Sequence, residues 1–182
     1  MHIRHTVLLT VVGPLLAAAS EQGLLRLGFL HEAYEYRTRV RALARRFGED
    51  TTLAEDPDFF TPLVTQLGEY FCGKRQRFEL PLDLRGSAFQ LAVWRRVLAI
   101  PHGKLRSYRQ IAREIRRPGA MRAVGQAVGQ NPVVILVPCH RVIGAHGELV
   151  GFGGGMSLKA QLLRLEGHTL GEAPRVVAPR LF

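Results

Sequence analysis

Cysteine is almost missing from this 182-residue chain, with Cys72 and Cys139 as its only two. That excludes a disulfide framework and a four-cysteine zinc site, and such sparse usage suits a reducing compartment. A cytoplasmic, nucleoid-associated location is the expectation. No apolar run reaches the ~20 residues that a membrane-spanning helix needs, so no membrane partner is expected. The nearest thing to a secretory leader, Val7 to Ala19, is interrupted by Gly13-Pro14. Ser20-Glu21-Gln22-Gly23 before the apolar Leu24 to Leu30 then reads as the tight loop of a β-hairpin. Internal repeats and low-complexity tracts are absent as well, and the length is enough to bury a core without metal or disulfide. Acidic residues are scarce in one half only. Residues 1 to 80 carry ten basic and ten acidic side chains, and residues 81 to 182 carry fifteen and five, which places the whole net charge of +10 in the second half. Arginine outnumbers lysine, and its planar fork suits phosphate contact. The balanced first half reads as a scaffold that contributes little to phosphate binding.

The first region reads as strand, tight turn, strand over about Thr6 to Leu30, then a connecting segment rich in arginine from Arg37 to Arg46. A helix capped by Asp58 follows, with Phe59, Leu63, Leu67, Tyr70 and Phe71 at helical spacing and Gly73 as its stop. Phe78, Leu80 and Leu82 alternate with Glu79, Pro81 and Asp83, which predicts a further strand. The linker at Leu84-Arg85-Gly86 divides the chain into residues 1–84, residues 85–170 and a tail, 171–182. Ser87 caps a helix whose Phe89, Val93, Trp94, Val97 and Leu98 share a face. Ser107 caps another from Tyr108 to Arg116, Pro118-Gly119 turns the chain, and a third runs from Ala120 to Val128. Helix, tight turn and helix in a basic region make a helix-turn-helix candidate. The last of these helices is lined with Ala120, Ala123, Gly125, Ala127 and Gly129, which is poor for helix stability but permits close approach of another surface. Only Arg122 projects a long charged side chain from it.

The densest chemistry lies in N-P-V-V-I-L-V-P-C-H-R-V, Asn131 to Val142. Val133 to Val137 is β-branched or leucine throughout and is closed by Pro138, so it reads as a short, fully buried strand that delivers a thiol to a defined place. His140 and Arg141 beside Cys139 favour the thiolate, the nucleophilic form. An arbitrary cysteine is more often a small core hydrophobe. These neighbours argue otherwise.

Taken in order, S-A-F-Q-L-A-V-W from Ser87, S-Y-R-Q-I-A from Ser107, R-A-V-G from Arg122, the Asn131 to Val142 segment, G-F-G-G-G from Gly151 and L-L-R-L-E-G from Leu162 resemble the O6-alkylguanine-DNA alkyltransferases, the methylated-DNA protein-cysteine methyltransferases. The resemblance spans the second domain; in the first 80 residues it rests mainly on the G-P-L-L hairpin. It implies an α/β (α+β) chain: a small ribonuclease H-like domain of sheet and helix, then a mostly helical domain with a helix-turn-helix. It implies direct-reversal DNA repair, in which the alkyl group of O6-alkylguanine, with O4-alkylthymine as a further candidate, passes irreversibly to Cys139. The target base must leave the duplex stack to be reached. Arg122 would fill the space it leaves, on a helix entering the minor groove with Ala123 and Gly125 at the contact. Glu166 would hold the imidazole of His140, which reaches Cys139 through a water, and Tyr108 would donate to guanine N3. Asn131 would order the turn, the carbonyls of Cys139 and Val142 would accept from the exocyclic amine, and Phe152, Gly153 and Gly154 would close over the base. The implied partner is double-stranded DNA containing O6-alkylguanine. The implied protein is a monomer with no cofactor and no metal, and cooperative binding along DNA is left open.

The loop departs from the family's common G-Y-x-G-G. Phe152 lacks the hydroxyl, and Gly153 predicts a roomier, more mobile pocket that accepts bulkier alkyl groups. Met121 stands where small residues are usual beside the arginine. Two rival readings are a non-catalytic alkylated-DNA binding protein of the same fold, whose known examples carry tryptophan in place of the cysteine, and a thiol hydrolase built on Cys139 and His140. Cys139 argues against the first, and no orienting pair or substrate groove supports the second.

Overall fold

The computed structural model describes residues 1–32, 34–48, 50–171 and 175–177. The chain divides between Arg85 and Gly86 into two compact units. Most of the expected tail, 171–182, lies outside the described residues.

In the first unit β1 (His2–Thr10), β2 (Gly13–Ser20) and β3 (Gly23–Phe29) form an antiparallel meander, and β4 (Thr52–Glu55) pairs parallel to β1, giving the order β3-β2-β1-β4. The stretch read as two strands is therefore three. Gly13, at φ +99, takes a left-handed conformation open to glycine and lets the chain reverse before Pro14. β2 and β3 are buried almost without alternation, the pattern of strands covered on both faces. On one face Ile3, Leu16, Ala18 and Leu25 pack against Val40 and Leu43. Those two belong to α1 (Glu35–Phe47), where the sequence suggested only a connecting segment. Tyr36, Val40, Leu43 and Phe47 recur at helical spacing between the arginines, and arginine is itself a good helix former.

α2 (Thr61–Phe71) follows a tight 3-10 turn at Asp58–Phe60. Asp58 does not cap α2, which has no side-chain cap; Asp56 Oδ1 instead accepts from the Phe59 amide at 3.2 Å within the preceding turn. The segment from Phe78 to Asp83 is not a strand. It makes one isolated bridge, Leu24 with Leu82, because Pro81 has no amide to continue a ladder. The segment is nevertheless fastened: the Leu24 amide donates to the Pro81 carbonyl at 2.9 Å, and Ser20 Oγ donates to Asp83 Oδ2 at 2.6 Å. A Cβ at Gly23 would stand 2.5 Å from that Pro81 oxygen, so only glycine allows the approach.

The second unit holds α3 (Ala88–Leu98), β5 (Arg106–Ser107), α4 (Tyr108–Glu114), α5 (Met121–Gly129), β6 (Val142–Ile143) and α6 (Met156–Leu165). Ser87 with Gln90 and Ser107 with Gln110 form full capping boxes, which set where α3 and α4 begin. Val93, Trp94 and Val97 of α3 are buried, whereas Leu98 is exposed. Trp94 Nε1 donates to the Ala127 carbonyl at 2.7 Å and ties α3 to α5. α4 ends earlier than its sequence pattern suggests. The amides of Arg116 and Arg117 bond back to the carbonyls of Arg113 and Ala112, a Schellman closure with Arg116 itself in the left-handed position at φ +57. Parallel pairing of β5 with β6 brings Ser107, the residue before Tyr108, beside Ile143.

Candidate active site

The apolar run before Cys139 is buried, as its composition requires, but it is not a strand. The Val137 amide donates to the Val133 carbonyl and the Leu136 amide to the Val134 carbonyl, both at 2.9 Å, so the chain folds back on itself. Ile135 sits at φ +73, a conformation that β-branched residues avoid at a cost of about 1–2 kcal/mol. Asn131 holds the turn closed. Its Oδ1 accepts from the Val133 amide at 3.0 Å and its Nδ2 donates to the Val137 carbonyl at 2.7 Å. The same Nδ2 lies 3.2 Å from Cys139 Sγ and donates to it. Local apolar patterning cannot reveal this shape, because the constraint is a buried side-chain amide spanning the loop. Cys139 then opens a short 3-10 turn, Cys139–Arg141, that leads into β6.

His140 is fully buried, with Nε2 2.9 Å from Glu166 Oε1. Burial is the largest single influence on Glu166 and raises its carboxyl pKa. Hydrogen bonds and charge from His140 and Arg141 outweigh it and hold the carboxyl well below the usual range. An ionised carboxylate only accepts, so His140 Nε2 carries the proton and Nδ1 the lone pair. That Nδ1 is buried and meets no hydrogen-bond partner among the described residues. Burial lowers the His140 pKa against the pull of Glu166, so the ring rests neutral and able to take a proton.

Arg141 does not face the sulfur. Its guanidinium clamps Glu166 through Nε at 2.9 Å and Nη2 at 2.8 Å and donates from Nη1 to the Ile100 carbonyl at 2.6 Å. The cation that acts on Cys139 is Lys159 of α6, which the sequence reading missed. Its signal was a lysine on the apolar face shared by Leu158, Leu162 and Leu163. Lys159 is 0% exposed, and its Nζ donates to the carbonyls of Val142 at 2.6 Å and Val150 at 2.9 Å. Burial pushes its pKa down to about 8, which leaves it charged at neutral pH. Burial also pushes the Cys139 thiol up, and the Asn131 amide and the Lys159 charge oppose that shift. At the site Glu166 is thus met by Arg141, while the Lys159 charge acts on the Cys139 thiol.

A cavity of about 680 Å³ opens at Cys139, lined among others by Tyr108, Arg122, Gly125, Asn131, Phe152 and Gly153. Ala123, Val142 and Gly154 do not line it; Val142 is buried with its carbonyl on Lys159. Tyr108 donates to the Val150 carbonyl at 3.1 Å, and burial, then proximity to Cys139, raises its pKa to about 12, so the phenol keeps its proton. Phe152 meets the His140 ring edge-on at 6.4 Å between centroids. Arg122 is exposed on α5 at the cavity mouth. A Cβ at Gly125 would lie 3.9 Å from the Tyr108 ring, ordinary contact, and one at Gly129 would meet nothing within 4 Å. Internal packing among the described residues therefore does not require either glycine. Among the described residues no group of three or more His, Cys, Asp or Glu side chains is placed to hold a metal ion.

Residues 88–168 match the model of the 6-O-methylguanine DNA methyltransferase DNA binding domain, and residues 3–84 match that of the family's ribonuclease-like domain. The methylated-DNA--protein-cysteine methyltransferase of Mycobacterium tuberculosis is 46% identical over 155 residues, covering 85% of this chain and 87% of that one. The inducible protein of the same description from Bacillus subtilis is 42% identical over 149 residues, 82% of each chain. The crystal structure of Mycobacterium tuberculosis OGT in complex with DNA superposes with a TM-score of 0.74 at 41% identity, covering 91% of this chain and 92% of that one.

Proposed function

The chain belongs to the 6-O-methylguanine DNA methyltransferase family, and from that premise we propose that it binds double-stranded DNA and repairs O6-alkylguanine by moving the alkyl group onto Cys139. One observation carries the reading: a buried thiol in the wall of a cavity with room to admit a purine base, with an amide donor, a lysine charge and a His-Glu pair arranged around it. Side chains of consecutive residues diverge, so a water between Sγ and His140 Nδ1 relays the thiol proton to the imidazole, whose developing charge Glu166 stabilises. The thiolate forms the sulfur–carbon bond as the bond from carbon to guanine O6 breaks. The electron pair stays on the purine, and the Tyr108 phenol donates to N3 as charge develops there. For this Tyr108 must leave the Val150 carbonyl, which Lys159 continues to hold.

Base access follows from α5. Ala123, Gly125 and Gly129, on the face of α5 not packed in the core, enter the minor groove, and Arg122 takes the place of the extruded nucleotide, offsetting lost stacking of about a few kcal/mol; Ala127 is buried against α3 and takes no part. Gly153 has open space where a side chain would stand, which suits larger alkyl groups. A thioether is stable and nothing in the site reverses it, so each molecule acts once. Incubation with a duplex containing O6-methylguanine, followed by intact-mass measurement, should show a gain of one methyl group, absent in Cys139→Ser. An unchanged wild-type mass after demonstrated DNA binding would refute the transfer.

A further inference from the structure

The first unit is neutral in sum over residues 1–80, but its charges are sorted in space. α1 carries five arginines, Arg37, Arg39, Arg41, Arg45 and Arg46, against one carboxylate, Glu35. Among the described residues only Arg39 is ion-paired, to Glu35 at 2.9 Å; Arg46 Nη2 bonds a neutral carbonyl, that of Arg85. Arg37, Arg41 and Arg45 are exposed and meet no carboxylate among the described residues. Standing four residues apart, they form one row along the helix, away from the buried Val40 and Leu43. Neighbours in the row are about 6 Å apart along the axis. Arg26 of β3 adds to the excess: burial, then the charges of Arg39 and Arg46, lowers its pKa.

Placement at the helix C-terminus accounts for Arg45 and Arg46 through the macrodipole, but not for the rest. Like charges at this spacing weaken the helix, and a line of negative charge would relieve them. Protein partners favour apolar or aromatic centres, whereas the exposed residues between these arginines are Thr38 and Ala42. A nucleic-acid strand presents a phosphate every ~3.4 Å of duplex axis, which a straight row of guanidinium groups can follow.

We propose that the Arg37, Arg41 and Arg45 row of α1 is a second phosphate-binding surface, fitted to the backbone of duplex DNA and carrying no base recognition. The proposal rests on the reading of the chain as a DNA repair protein. It replaces the expectation, drawn from the neutral total, that this unit contributes little to phosphate binding.

The test is the salt dependence of duplex affinity for the full chain and for Arg37→Ala/Arg41→Ala/Arg45→Ala, with Lys74→Ala/Arg77→Ala as a control for charge lost elsewhere in the same unit. If all three arginines engage phosphate, each removes about 0.9 from the slope. The ratio of wild-type to variant affinity then changes about 40-fold between about 50 and 200 mM salt. The loss should be equal on unmodified and O6-methylguanine duplexes, with methyl transfer at saturating DNA unchanged. A slope equal to wild type, or an equal fall in the control, overturns the proposal. Failure of the wild-type chain to bind or be methylated at all would instead strike the functional reading beneath it.

Discussion

Replacing Asn131 by alanine removes three hydrogen bonds at once, and the structure tells how unequal their losses are. The Val133 amide is buried and has Asn131 Oδ1 as its acceptor, so it is orphaned, at a cost of about 1–3 kcal/mol. The Val137 carbonyl also accepts from the Cys139 amide at 2.8 Å and keeps that partner, which limits its loss to about 1 kcal/mol. The second unit should therefore lose about 2–4 kcal/mol, read as a lower urea midpoint at unchanged m. The third bond acts on chemistry. A hydrogen bond to a charged acceptor is worth about 1.5–3 kcal/mol, so its removal should raise the Cys139 pKa further and slow methyl transfer at neutral pH by about 10- to 100-fold. Because the deficit lies in the thiolate fraction, it should shrink as pH rises. Single-turnover transfer from a methylated duplex, followed across pH, measures it. Asn131→Asp should fare no better: an oxygen remains for the Val133 amide, but a buried carboxylate oxygen then faces the Val137 carbonyl and the sulfur, so neither stability nor rate should recover. A rate deficit constant with pH, or a wild-type urea midpoint for Asn131→Ala, would refute the reasoning.

Tyr108→Phe should slow transfer by about 10- to 100-fold, the worth of one hydrogen bond to developing charge, while stability changes by less than about 1 kcal/mol because only the bond to Val150 is lost. Equal single-turnover rates would remove the acid role. Lys159 carries a pH signature in stability. Its folded pKa of about 8 lies below the unfolded value of about 10.4, so between the two the unfolded state binds more protons and stability rises with pH. The cost of the buried charge is fully present below pH 8. Relative to Lys159→Met, the wild-type chain should therefore gain about 3 kcal/mol between pH 8 and 10.4, visible in paired urea titrations, and parallel curves for the two would contradict a charged buried lysine.

The elements most legible in the sequence were those specified by neighbours. The capping boxes at Ser87 and Ser107 name their helices outright, and the Ser20 to Gly23 turn names its hairpin, because each depends on side chains within three residues of the backbone they serve. α1 was hidden because arginines crowd the apolar positions that define it, and β4 because four residues paired at a sheet edge carry almost no pattern of their own. Val133 to Val137 misled for the opposite reason. Its β-branched composition fits a strand, and the turn it adopts is imposed by Asn131 and by burial, against local preference at Ile135.

The sequence by itself singled out Cys139, the successive helices α4 and α5 and the family, since each is written in contiguous motifs whose chemistry is local. Only the tertiary structure decided which charges meet. Arg141, next but one to the nucleophile, reaches 25 residues along to Glu166, and the cation that acts on the sulfur is Lys159, brought in on α6. Proximity along a chain does not set the direction of a side chain. In a buried site, each charge must find whatever opposite charge or carbonyl the packing places within about 3 Å, because an unmet charge there costs several kcal/mol.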